Sequence, residues 1–117
     1  MDSFQSTEKI IVQPGTSAVP YTFTFAACSS ATANDGSLPF DTTISSAAVK
    51  AFSTAGTDVT AELIDSSSSS STVVTVALNY PTSYGAGRYS IEMLLTLSTG
   101  AVIEADFTRI FVKDIAA

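Results

Sequence analysis

A stretch near the C-terminal end alternates apolar and polar residues with a period of two. It runs from Gly87 to Leu97, and Leu94 is the one apolar residue on its polar face. The apolar face carries Tyr89, Ile91, Met93, Leu95 and Leu97, and the polar face carries Ser90, Glu92 and Thr96. A period of two is typical of a half-buried β-strand and not of a helix. The turn 98–100 and a second strand, 101–112, follow, so the pattern predicts a long hairpin.

Shorter segments rich in Val, Thr and aromatic residues predict five further strands. They are expected at 8–13, 21–25, 44–53, 58–64 and 72–79. The six serines of 66–71 are expected to form a flexible hairpin loop, and 29–43 a long polar loop. Because no segment of ten or more residues shows a helical period, the sequence predicts an all-β sandwich of about seven strands.

The chain length and the single cysteine narrow this fold class. A chain of 117 residues is expected to form one domain, here residues 8–113, with a flexible N-terminal arm (1–7) and a C-terminal tail (114–117). A late hairpin whose first strand begins Gly-x-Tyr-x-Ile is similar to the end of many immunoglobulin-like sandwiches. With one cysteine there is no intrachain disulfide. The expected fold is therefore an immunoglobulin-like or fibronectin-III-like β-sandwich without a disulfide.

The charge of the chain argues against two classes of partner. The net charge is −6, and the five basic residues are scattered along the sequence. Phosphate backbones and anionic membrane surfaces repel such a chain, so nucleic-acid and membrane binding are not expected. The N-terminus has no basic segment followed by an apolar one, and no apolar run approaches the length of a membrane helix. Synthesis in the cytoplasm is expected.

The residue types needed for most catalytic sites are missing. The chain contains no histidine, which excludes Ser-His-Asp arrangements and a Cys/His zinc set. It also has no phosphate-binding loop, since Gly85-Ala86-Gly87 precedes a strand and is expected to be a turn. Cys28 ends an apolar run and is expected to be a small buried hydrophobe. The prediction is a protein that is not an enzyme and uses no cofactor.

Three carboxylates deserve separate consideration as metal ligands. Glu104 and Asp106 lie two apart and share a face of the last strand, and Glu92 lies on its hairpin partner. Such a group could contribute to a Ca²⁺ site, which needs six to eight oxygens. Two carboxylates on a solvent-facing strand are more commonly a charged outer face. The prediction is that no metal is bound. If one is, these three residues are the candidate ligands.

Candidate contact residues come from the predicted loops and the N-terminal arm. Leu38-Pro39-Phe40 is expected to pack onto the edge of the core. Tyrosine is enriched in protein interfaces, although the tyrosines of 80–86 could instead cover the end of the sandwich. The interaction candidates are Phe4, Asn34, Asp35, Leu38, Phe40, Tyr80 and Tyr84.

Three stretches in the second half of the chain resemble a known group of proteins. They are Gly56-Thr57-Asp58-Val59-Thr60, the strand 72–78, and Arg88-Tyr89-Ser90-Ile91 followed by the hairpin segment 98–107. Their order resembles small immunoglobulin-like structural proteins encoded among the virion genes of tailed bacteriophages and prophages. The resemblance covers 56–113, whereas the long loop 29–43 departs from it.

The resemblance implies a non-enzymatic virion component made in the host cytoplasm. Such a protein would decorate the capsid or belong to the neck, collar or tail. Its partners would be the major capsid, portal, connector or tail proteins, and homo-oligomers are a further option. The arm 1–7 would then be able to add to the sheet edge of a neighbour. An alternative is an immunoglobulin-like module of a bacterial surface or adhesive protein, and a third class is an enzyme or small-ligand carrier.

Overall fold

The computed structural model describes residues 10–113, in which seven strands form two facing sheets. One short helical turn, α1 (Thr60–Leu63), lies between the third and fourth strands. The strands are β1 (Ile10–Val12), β2 (Val19–Thr24), β3 (Ile44–Ser53), β4 (Ile64–Ser70), β5 (Val73–Leu78), β6 (Gly87–Leu97) and β7 (Val102–Val112). Residues 1–9 and 114–117, and with them the predicted arm, the tail and Phe4, lie outside the described residues.

The order of the strands identifies the type of sandwich. One sheet has the order β1-β7-β6-β3 and the other β2-β5-β4. With the strands lettered A to G along the chain, the sheets are A-G-F-C and B-E-D. These are the pairings of an immunoglobulin sandwich, except that the first strand pairs in parallel with the last. The predicted disulfide-free, immunoglobulin-like fold is confirmed.

The core lies between the inner faces of the two sheets. β5 and β6 alternate buried and solvent-facing residues, as their period of two requires. Val76 of β5 and Met93 of β6 are fully buried. Phe23 of β2 meets Phe107 of β7 edge to face across the sandwich, with ring centroids 5.2 Å apart. This aromatic contact joins the two sheets through the middle of the core.

A tyrosine fixes the start of β6. The Tyr89 side chain is buried, and its hydroxyl donates a 2.6 Å hydrogen bond to the carbonyl of Gly85, four residues upstream. Immunoglobulin-like domains carry this tyrosine corner at the start of their sixth strand. The hydrogen bond ties the loop before β6 to the strand itself.

The serine run is a strand, so its prediction as a flexible loop is wrong. Ser66 to Ser70 pair in antiparallel register with Ala77 to Val73 of β5. Serine side chains gave no apolar alternation to detect, but the β5 backbone needs a partner on this side. The turn that remains is only Ser71-Thr72, where Ser71 has a φ of 57°.

The predicted strand 58–64 is also wrong for most of its length. Asp58 forms a single bridge with Phe52, and the chain then makes the helical turn α1. The Asp58 carboxylate accepts hydrogen bonds from the backbone N–H and hydroxyl of Thr60, at 2.9 and 2.6 Å. Val59 and Leu63, four residues apart, are both buried. Their spacing places them on one face of a helical turn.

Candidate interaction surfaces

The outer face of the four-stranded sheet carries a cluster of three carboxylates, as the sequence indicated. Glu92 of β6 lies directly opposite Asp106 of β7, and Glu104 is two residues away on β7. All three side chains are exposed, and one carboxylate oxygen of each lies within 4.8 Å of the others. On its other side, Glu92 faces Lys50 of β3. Like charges directly opposite each other destabilise a sheet, so this cluster costs the isolated domain stability.

Two exposed aliphatic side chains lie beside these carboxylates. Leu94 follows Glu92 on the outer face of β6 and is 50% exposed, and Val102 at the start of β7 is 54% exposed. The register pairs Leu94 with Glu104 and Val102 with Thr96, so Leu94 and Val102 are diagonal neighbours. A depression of about 230 Å³ lies next to Leu94. It is lined by Ala48, Lys50, Glu92, Met93, Leu94 and Glu104. We call this combination the acidic–apolar face: Lys50, Glu92, Leu94, Val102, Glu104 and Asp106.

The long loop 29–43 is closed by hydrogen bonds along its base. The Cys28 N–H donates to the Leu38 carbonyl at 2.9 Å, and the Asp35 carboxylate accepts from the backbone N–H and hydroxyl of Ser29. These two hydrogen bonds, that from the hydroxyl first, lower the pKa of Asp35. Gly36 allows the loop to close, because a Cβ there would lie 2.6 Å from the backbone of residues 26–28.

The candidate residues of this loop differ in their exposure. Leu38 is fully buried in the core. Its prediction as a contact residue is therefore corrected, whereas its expected packing onto the core is confirmed. Asn34, Asp35 and Phe40 are exposed, with Phe40 at 48%. The three exposed residues are accessible to a partner.

The two candidate tyrosines lie at the opposite end of the sandwich. Backbone hydrogen bonds from Thr43 and Ser98 tie the long loop to the β6–β7 turn, whereas the Tyr80 N–H bonds to Thr16 in the β1–β2 loop. Tyr80 is half-buried against the core, and Tyr84 is 46% exposed. The two groups of candidate residues therefore belong to separate surfaces at the two ends of the sandwich.

Hydrogen bonding and burial perturb two titratable groups near the tyrosine loop. Hydrogen bonding by the Ser83 side chain, and then by its backbone N–H at 2.8 Å, lowers the pKa of Glu62. Burial raises the pKa of Tyr89, with smaller contributions from Tyr80, Glu62 and Tyr84. The first shift favours the ionised form of Glu62 at neutral pH, and the second favours the neutral form of Tyr89. Hydrogen bonding and burial within the fold account for both shifts.

The exposed aliphatic residues were missed as contact candidates, although a signal for them was present. Leu94 interrupted the polar face of an otherwise regular strand, and Val102 shares the face of Glu104 and Asp106 by its spacing. Their proximity depends on the β6–β7 register.

Cys28 is half-buried, and its thiol lies 3.7 Å from the Gly36 carbonyl.

Comparisons with known proteins do not assign this chain to a family. No family model matches it, and no curated protein or solved structure is similar to it at a significant level. Among residues 10–113, no helix is long and apolar enough to cross a membrane.

Proposed function

We propose that this chain is a non-enzymatic structural protein of a tailed-phage virion, acting through protein–protein contacts. It would decorate the capsid or form part of the neck, collar or tail. The acidic–apolar face carries the proposal, because Leu94 and Val102 are exposed as diagonal neighbours on the two longest strands. The assignment to a virion is supported by the resemblance of segment 56–113 to phage structural proteins.

The composition of this face fits a contact surface. Specific interfaces combine an apolar centre with a polar rim. Leu94 and Val102 supply the apolar part, and Lys50 with the three carboxylates supplies a charged border. β6 is paired with β3 on one side and β7 on the other, whereas β7 pairs with β1 only at residues 110–112 and is held by β6 alone where it carries Val102, Glu104 and Asp106. The long β6–β7 ladder fixes the positions of these side chains. A rigid surface loses little conformational entropy when a partner binds.

Immunogold electron microscopy of phage particles from the source tests this function. An antibody against the purified protein should label particles, on the heads for a decoration protein and at the vertex or tail for a neck or tail component. Preimmune serum on the same particles is the matched control. Label on cells with none on particles would overturn the virion assignment and favour a bacterial surface module.

A further inference from the structure

We propose that the acidic–apolar face binds a basic protein segment in which aliphatic side chains stand beside Lys or Arg. The proposal deepens the function above and rests on it, since it names the chemistry of the partner. Two features of one sheet face carry it: the neighbouring exposed side chains of Leu94 and Val102, and the carboxylate cluster that borders them.

The apolar half of the face specifies part of the partner. Leu94 and Val102 each leave about half of their surface in water, and the exposed Ala48 contributes to the lining of the depression beside Leu94. Removing aliphatic surface from water is favourable. A partner that inserts an aliphatic side chain here would remove this surface from water.

The charged half specifies the rest. Glu92, Glu104 and Asp106 repel one another, and among residues 10–113 the register places one cation, Lys50, directly opposite Glu92. A cationic partner side chain would relieve this repulsion and gain three nearby acceptors. A second copy would present the same three carboxylates, and each chain carries a net charge of −6. Self-association through this face is therefore disfavoured, and a basic partner complements it.

A peptide titration on the purified full-length protein tests the proposal. The probe is a fluorescent eight-residue peptide that alternates Lys and Leu, and its binding is measured by anisotropy. Two control peptides alternate Lys with Ser, and Glu with Leu. We expect binding of the Lys–Leu peptide at least about tenfold tighter than that of either control, because each control lacks one half of the complementarity. Equal binding of the Lys–Leu and Lys–Ser peptides would overturn the proposal.

Two double variants separate the two halves of the face. Glu104→Gln with Asp106→Asn removes charge at nearly constant shape. Leu94→Thr with Val102→Thr removes apolar surface and places threonine, which is favoured in strands, at both positions. Each is expected to weaken binding of the Lys–Leu peptide about tenfold. The charge variant should also bind with less salt dependence, because fewer charges remain to be screened.

A matched control removes the same charge elsewhere. Asp41→Asn with Asp65→Asn changes two exposed carboxylates away from the acidic–apolar face, and Val19→Thr removes an exposed aliphatic residue on the other sheet. Both controls should bind within about twofold of the unaltered protein. A loss equal to that of the face variants would mean general charge attraction or general stickiness, and would overturn the proposal.

Two further measurements keep the test decisive. Amide chemical shifts of the unaltered protein should change on β6 and β7 when the peptide binds, and shifts confined to other elements would contradict the proposal even if a variant failed to fold. Added CaCl₂ distinguishes a cation site. Competition by Ca²⁺, with no effect of Leu94→Thr and Val102→Thr, would indicate a metal site instead of a protein contact. Peptide binding without labelled virions would leave this proposal standing and refute the virion assignment alone.

Discussion

A pair of proline substitutions in β4 tests whether the serine run is a paired strand. The direction of each backbone group follows from the alternation along β5. The Thr72 carbonyl accepts from Phe25 on the β2 side, whereas the Asn79 N–H donates to Leu63 on the β4 side. Odd-numbered residues of β5 therefore point toward β4. Thr75 is paired with Ser68, so the Ser68 N–H points into the sheet.

The neighbouring residue Ser67 has the opposite orientation. Its N–H points away from β5, on the side where no described strand pairs with β4. Pro20 is a natural example in β2, the other edge strand: it lies opposite Ala77, whose backbone groups point toward β4. Proline is accepted in edge strands at such outward positions. Ser68→Pro and Ser67→Pro therefore differ by one residue but only the first removes a hydrogen bond.

The expected magnitudes follow from this geometry. Ser68→Pro removes the hydrogen bond to Thr75 and places the proline ring against its carbonyl, at a cost of about 3 kcal/mol by comparison with interior helix positions. Ser67→Pro should change the free energy of unfolding by about 1 kcal/mol or less. With a urea m-value of about 1.5 kcal/mol per M, the midpoint should fall by about 2 M for the first variant and less than about 0.7 M for the second.

Urea unfolding followed by far-UV circular dichroism at neutral pH measures both midpoints. The unaltered protein gives the reference midpoint, and Ser67→Ala gives the effect of losing a serine side chain alone. The expected falls of about 2 M and less than about 0.7 M separate the two proline variants clearly. If their urea midpoints lay within about 0.3 M of each other, the assignment of Ser66 to Ser70 as a paired strand would be refuted. The sequence-based prediction of a loop would then stand.

Three further predictions concern a close approach and two titratable groups. Gly36→Ala should cost about 1–3 kcal/mol, because its Cβ would overlap the adjacent backbone, and an unchanged urea midpoint would contradict this. Tyr89→Phe should cost about 1 kcal/mol through the lost bond to Gly85. Because the pKa of Tyr89 is raised, its contribution to the free energy of unfolding is full below the unfolded-state pKa of about 10 and is lost as the pH rises above it. Tyr89→Phe should therefore weaken the fall in melting temperature at alkaline pH. Hydrogen bonds from Thr60 lower the pKa of Asp58, so its contribution to the free energy of unfolding is full above about pH 4 and is lost on acidification. Asp58→Asn should therefore reduce the dependence of the melting temperature on pH between pH 5 and 2. A slope equal to that of the unaltered protein would refute this.

The sequence by itself determined the long hairpin, the sandwich class and the lack of a disulfide. In β6 each buried residue follows a solvent-facing one, so local alternation specifies which side chains enter the core. The same holds for β5, where Val74 and Val76 point inward. Such information is local, since it depends only on the spacing of residues along one strand. The tyrosine corner at Tyr89 likewise begins at a position that the strand pattern marked as buried.

Only the tertiary structure decided which segments pair and which exposed side chains meet. The serines of β4 carry no apolar pattern. They form a strand because the backbone N–H and C=O groups of β5 that face β4 need hydrogen-bond partners. The sequence led us to expect Leu38 at the edge of the core, but the hydrogen bonds of Ser37 and Leu38 with residues 26–28 make it fully buried. The acidic–apolar face required the β6–β7 register to bring Glu92 opposite Asp106. Register and loop closure depend on residues distant in sequence, which the spacing within one segment does not encode.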